Sequence, residues 1–145
     1  MKLDVKVKDF IYKDLQTVFK TIVVKEELAK YFVSNANKDI IENTEIMWEW
    51  KDFNAKCNVS VLKVETNKHI VFNWEGNQIQ TKVEMIFQKL EANKTEVIIT
   101  ESSYNNDKEG IQKVMQQTQG WTDFLCSLKA YLYTGINLRN GKMNN

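Results

Sequence analysis

Residues 119–139 constrain the fold of this chain more than any other segment. Their apolar side chains recur at gaps of three and four, which places them on one face of an α-helix. The members of this stripe are Trp121, Phe124, Leu125, Leu128 and Leu132. Because so apolar a face must be buried, and because the preceding segments look like strands, we predict a helix over residues 109–133 that lies across a sheet. Gly135 is its natural C-terminal stop.

The middle of the chain has the period-two alternation of half-buried strands. This alternation covers residues 44–51, 57–65, 69–74, 83–87 and 97–101. Gly76-Asn77 is the strongest hairpin signal in the sequence. We interpret residues 102–108 as a polar loop that leads into the last helix.

The N-terminal part predicts a strand followed by two short helices. Leu3, Val5 and Val7 alternate with charged residues, and apolar residues then recur at helical spacing in residues 15–22. Residues 25–32 form the second predicted helix and residues 35–43 a turn-rich connection. The order is therefore β, α, α, a run of β, then α, which is an α+β fold with an antiparallel sheet. A strand run without intervening helices argues against a doubly wound nucleotide-binding fold.

Composition restricts the classes of partner and location. The 145 residues are 43% apolar and 27% charged, with a net charge of +1, which suits one globular domain over residues 1–145. The charge balance offers no basic field for nucleic acid. No apolar run approaches the roughly 18 residues of a membrane span, and the N-terminus alternates charged and aliphatic residues. We therefore expect a cytoplasmic protein with no nucleic-acid partner and no membrane span.

The sequence predicts neither a metal site nor a cofactor site. His69 is the only histidine, and Cys57 and Cys126 are too far apart for a zinc motif. We expect His69 at a surface or strand edge and both cysteines as small apolar residues. Nucleotide-binding and serine-hydrolase motifs are missing. No catalytic residue and no cofactor are therefore assigned.

Four tryptophans are the most unusual feature of the composition. Those on predicted inward faces either line an aromatic cavity for an apolar ligand or fill the space between sheet and helix. On the first interpretation the ligand-binding residues are the inward-facing side chains of the strands and of the last helix. They are Trp48, Trp50, Trp74, Met85, Phe87, Ile99, Glu101, Trp121, Phe124, Leu125 and Leu128.

Glu101 is the one acidic residue in this inward set. It follows Val97 and Ile99 in phase, so the strand directs its carboxylate toward the last helix. Two interpretations remain open. Glu101 either hydrogen-bonds a ligand or acts as a base with a raised pKa, or it lies at the rim of the sheet and is solvated.

The chain resembles the SRPBCC or START-like superfamily, which has the helix-grip fold. Within it, the chain is most similar to the activator of heat-shock protein 90 ATPase homologues. The motifs that carry the resemblance are GWTDFL at residues 120–125, TEVIITES at 95–102 and the aromatic pair at 31–32. The resemblance implies a curved antiparallel sheet wrapped around a long C-terminal helix, with two short helices after the first strand.

Three functions are compatible with these observations. The leading hypothesis is a non-catalytic protein that holds a small hydrophobic or amphipathic ligand between sheet and helix. The second, implied by the resemblance alone, is an interaction protein that assists a chaperone. The third is a cyclase or aromatase-type enzyme, which requires Glu101 to converge with a second polar group such as Tyr104 or Asn73.

Overall fold

The fold is a seven-stranded sheet that grips one long helix, seen in a computed structural model that describes residues 1–140. The elements are β1 (Lys2–Ile11), α1 (Leu15–Val23), α2 (Lys25–Leu28), β2 (Asn35–Ala36), β3 (Thr44–Trp50), a 3-10 turn (Lys51–Phe53), β4 (Ala55–Glu65), β5 (His69–Trp74), β6 (Thr81–Glu91), β7 (Lys94–Asn105) and α3 (Lys108–Thr134). No helix within this part of the chain is long and apolar enough to cross a membrane.

The sheet is antiparallel throughout, with the strand order β1-β7-β6-β5-β4-β3-β2. Successive side chains of β7 alternate between buried and partly exposed, because strands direct neighbouring residues to opposite faces. The buried face of the sheet carries the core, and α3 packs on it against β1 and β7. This arrangement confirms the predicted α+β helix-grip fold.

Local chemistry sets both ends of α3. The Asp107 carboxylate accepts a hydrogen bond from the Gly110 amide at 2.8 Å, which satisfies one of the free N–H groups at the start of the helix. Gly135 ends the helix with φ of 74°, a left-handed conformation that glycine adopts without steric cost. Between these caps the helix is continuous, including at Gly120.

The structure departs from the sequence-based prediction at three connections. α2 ends at Leu28 instead of residue 32, because the chain turns toward the sheet and the Ser34 amide donates to the Glu49 carbonyl. The short strand β2 occupies part of the predicted turn region and pairs with β3. β7 runs through most of the predicted 102–108 loop to Asn105, where it pairs with Lys2 of β1. At β2 and β7, pairing with another strand stabilises an extended conformation that the local sequence does not favour.

The first prediction concerns the contact between α3 and the sheet. Leu128 is fully buried in the core cluster. We expect Leu128→Ala to reduce the free energy of unfolding by about 2–5 kcal/mol, because the truncation leaves a cavity. Gln112→Ala, an exposed position on the same helix, serves as the control and should change stability by less than about 0.5 kcal/mol in urea melts. Equal losses at the two positions would contradict the observed orientation of α3.

Candidate functional site

An open groove of about 950 Å³ lies between the middle of α3 and the ends of β3, β4 and β5. Three tryptophans line it: Trp50 at the end of β3, Trp74 at the end of β5 and Trp121 on α3. The opposite wall is more polar, because α3 contributes amide and hydroxyl side chains between residues 116 and 122. The groove therefore combines aromatic and hydrogen-bonding surfaces.

The groove tryptophans form one aromatic cluster. The rings of Trp74 and Trp121 are 5.4 Å apart with an interplanar angle of 35°, and Trp50 lies 6.4 Å from Trp74. Trp48 is almost fully buried and packs edge-on against Trp50 at 6.1 Å and Trp74 at 5.9 Å. Such tilted and edge-to-face contacts are the favoured geometries of aromatic pairs. Trp48 therefore supports Trp50 and Trp74 from the core side.

A buried carboxylate fixes two of these indoles. Glu101 is 0% exposed, and its two oxygens accept hydrogen bonds from five side chains. The donors to Oε2 are Trp74 Nε1 at 3.0 Å, Thr81 Oγ1 at 2.5 Å and Tyr104 Oη at 2.8 Å. The donors to Oε1 are Gln117 Nε2 at 3.0 Å and Trp121 Nε1 at 2.9 Å.

This network links α3 to three strands of the sheet. The donors come from β5, β6, β7 and α3, while Glu101 itself belongs to β7. No lysine or arginine forms an ion pair with Glu101 among residues 1–140, so neutral donors compensate the lost hydration. Burial, the nearby Glu101 charge and their mutual hydrogen bond raise the pKa of Tyr104. Tyr104 therefore keeps its proton and remains a donor.

The C-terminal segment closes one side of the groove. After Gly135 the chain turns back, and the Arg139 guanidinium pairs with the Asp52 carboxylate of the 3-10 turn. The same guanidinium lies 5.3 Å from the ring centroid of Phe53, a distance at which a cation is attracted by an aromatic face. Phe53 and Arg139 both line the groove.

Of the predicted ligand-binding residues, three line the groove: Trp50, Trp74 and Trp121. Seven others pack in the core, with no open space beside them that belongs to the groove. They are Trp48, Met85, Phe87, Ile99, Phe124, Leu125 and Leu128. Strand alternation, together with the helical spacing of the three α3 residues, placed all of them on inner faces, and they are buried. Which inner positions meet α3 and which meet open space depends on the curvature of the sheet, which alternation does not report.

The structure decides against one of the two interpretations of Glu101. A solvated position at the rim is wrong, since the side chain is fully buried behind Trp74 and Trp121. Tyr104 converges with Glu101 as the enzyme hypothesis required. Asn73 does not, because it lies on the opposite face of β5 from the buried Phe72 and Trp74.

Sequence reasoning missed several residues of the groove and its support. Phe32, Phe53 and Met115 line the groove. No periodicity in the sequence marks Phe53, because it lies in an irregular turn. Gln117 was detectable, since it lies four residues before Trp121 and therefore on the same helix face. Its amide is the fifth donor to Glu101.

Within residues 1–140, His69, Cys57 and Cys126 are not among the donors to Glu101. His69 interacts with Glu84 at 3.0 Å and with Glu65 at 3.7 Å. Cys57 and Cys126 are free thiols that both line the groove, and burial raises the pKa of Cys57. Across the described 140 residues, no group of His, Cys, Asp or Glu side chains is arranged to hold a metal ion.

A helix-grip domain with an aromatic groove beside its C-terminal helix is the class of protein that these features define. The family model described as activator of Hsp90 ATPase homolog 1-like protein matches residues 14–133, and the chain belongs to this family. No curated protein matches the sequence significantly.

Several solved structures have the same fold. Protein SSP2350 from Staphylococcus saprophyticus is 26% identical, with a TM-score of 0.82 over 94% of this chain and 96% of that chain. The Aha1 dimer from Colwellia psychrerythraea is 18% identical, with a TM-score of 0.78 over 92% of this chain and 98% of that chain. An HSP90 activator from Plasmodium falciparum is 16% identical, with a TM-score of 0.71 over 90% of this chain and 96% of that chain. The last two identities are low, so these structures support the fold alone.

The second prediction concerns the buried carboxylate. In Glu101→Gln an NH2 group replaces one acceptor oxygen, so at least two buried donors lose their partner. We expect the free energy of unfolding to fall by roughly 2–6 kcal/mol, at about 1–3 kcal/mol for each unsatisfied group. Glu96→Gln makes the same chemical change on the partly exposed face of β7 and should cost less than about 0.5 kcal/mol. Similar urea midpoints for the two variants would show that the network does not stabilise the fold.

Proposed function

We propose that this chain is a non-catalytic binding protein that holds a small hydrophobic or amphipathic molecule in the groove beside α3. The observation that carries the proposal is the set of three tryptophans, Trp50, Trp74 and Trp121, that line one open groove. Its volume of about 950 Å³ lies within the range of roughly 300–1,000 Å³ that is typical of small-molecule sites.

The composition of the lining supports an amphipathic ligand. The partly exposed Trp50 offers apolar surface, and Gln116, Gln119 and Thr122 of α3 offer hydrogen-bonding groups on the solvent side. In this proposal the three tryptophans contact the ligand. The other predicted site residues, including Glu101, act by holding the tryptophans in place.

We further propose that residues 1–145 form one START-like domain that acts in the cytoplasm. The free thiols of Cys57 and Cys126 fit a reducing compartment.

Glu101 provides little support for the enzyme hypothesis. A general base must lie within hydrogen-bonding reach of the proton it removes. Both Glu101 oxygens already accept protein donors, and Glu101 is not part of the groove lining. Its geometry supports a positioning role.

The second candidate function is that of a chaperone-associated interaction protein. Its support is membership of the activator of Hsp90 ATPase homolog 1-like family. The Plasmodium falciparum HSP90 activator also shares the fold over 96% of its chain. If this is the function, adding the protein to an Hsp90-type chaperone should raise the rate of ATP hydrolysis. No change in rate and no co-purification in a pull-down would exclude it.

The third prediction tests ligand binding. N-phenyl-1-naphthylamine, a neutral apolar fluorophore, should bind the folded protein at about one site and quench tryptophan emission, because Trp50 is partly exposed in the groove. Bound probe should also slow alkylation of Cys126 by iodoacetamide, since this exposed thiol lines the same groove. Loss of quenching in urea would show that binding requires the fold.

A matched pair of variants separates groove binding from surface adsorption. Cys126→Phe places a large side chain in the groove and should weaken probe binding by about tenfold, equal to 1.4 kcal/mol. Gln112→Phe makes a comparable change on α3 outside the groove lining and should bind the probe like the native protein. Equal affinities in all three proteins, or no binding to any of them, would count against the proposed function.

A further inference from the structure

The fold explains why three positions within residues 1–140 are occupied by glycine. A Cβ atom on Gly76 would lie 2.4 Å from the Trp74 ring, and one on Gly110 would lie 1.7 Å from the Asn105 carbonyl oxygen. Gly135 has a positive φ of 74°. In these places the fold itself excludes a side chain.

The fold does not explain the glycine at position 120. It lies inside α3, and Gly135 is the only described glycine with a positive φ. A Cβ atom on Gly120 would meet no heavy atom within 4 Å outside its own helix. Alanine forms helices better than glycine, so the fold alone would favour a side chain at this position.

The open space beside Gly120 is the groove. Gly120 belongs to the groove lining, directly before Trp121. A glycine inside a helix has a packing or functional reason, and one such reason is that it lets a ligand approach the backbone closely. We propose that the ligand of the groove packs directly against the α3 backbone at Gly120, which makes Gly120 a specificity-determining position. This inference rests on the proposed binding function.

The charges of the lining restrict the class of ligand. The charged side chains of the groove are two cations, Lys56 and Arg139, and two anions, Glu75 and Asp123. Arg139 is further neutralised by Asp52. With Arg139 paired, Lys56 is outnumbered by Glu75 and Asp123, so the lining disfavours an anionic ligand and accepts a neutral one without burying an unpaired charge.

The indole orientation restricts its shape. The N–H groups of Trp74 and Trp121 both donate to Glu101, so neither indole has a donor left for the ligand. Both residues are nearly buried, and Trp50 is the partly exposed indole of the groove. An aromatic ring makes favourable offset-stacked or edge-to-face contacts with an exposed indole such as that of Trp50. The ligand class is therefore a neutral aromatic ring system that packs on Trp50 and on the bare helix backbone.

Two substitutions at Gly120 test the contact with the helix. Gly120→Ala should raise the thermal midpoint by about 2–4 °C, because alanine favours the helix, and should weaken binding of N-phenyl-1-naphthylamine severalfold. Gly120→Leu should abolish binding, while Gln112→Leu, outside the groove lining, should leave it unchanged. A more stable protein that binds less well is a result that a purely structural glycine would not give.

The probe pair tests the ligand class. 8-Anilinonaphthalene-1-sulfonate has a similar ring system but carries a negative charge, and it should bind at least about tenfold more weakly than the neutral probe. Equal or tighter binding of the anion would overturn the neutral class. Native affinity in Gly120→Leu would overturn the role of Gly120 and leave the proposed function standing. If the native protein binds neither probe, the proposed function itself fails.

Discussion

The hydrogen bonds to the buried Glu101 carboxylate are the interaction on which the rest of this structure depends. Removing a carboxylate from water is costly unless its lone pairs find donors. Here five side chains from four elements supply them. Because two of the donors are the indoles of Trp74 and Trp121, the interaction that attaches α3 to the sheet also orients the groove surface.

Because Trp74, Trp121 and α3 all depend on the Glu101 carboxylate, the groove surface is held in one arrangement. Its tryptophans lie on regular elements or at their ends, and Trp48 supports them from below. In the proposed function such a surface would be arranged before a ligand arrives, so little conformational entropy would be lost on binding. One irregular part of the lining is the 3-10 turn, Lys51–Phe53, which is held by the ion pair between Asp52 and Arg139.

The fold was largely predictable because its signals are local. The period of the stripe around Trp121 and Leu128 predicted α3, and the caps at both of its ends follow ordinary chemistry. The prediction failed where a distant strand decides the conformation, as at residues 102–105 of β7, which pair with β1. The site was less predictable for the same reason. Alternation identified Met85, Ile99 and Trp74 equally as inward-facing, but only the three-dimensional curvature shows that Trp74 borders the groove while Met85 and Ile99 do not.

Part of the wall that α3 contributes to the groove consists of positions on the solvent side of the helix. Gln116, Gln119 and Thr122 are exposed, and their side chains take no part in the core. Substitutions at such positions usually have small effects on stability. At these three positions, unlike at Trp74 and Trp121, residues that would select a ligand are not needed to maintain the fold. A scaffold organised in this way can acquire new specificities during evolution by changing one helix face, without first losing its native structure.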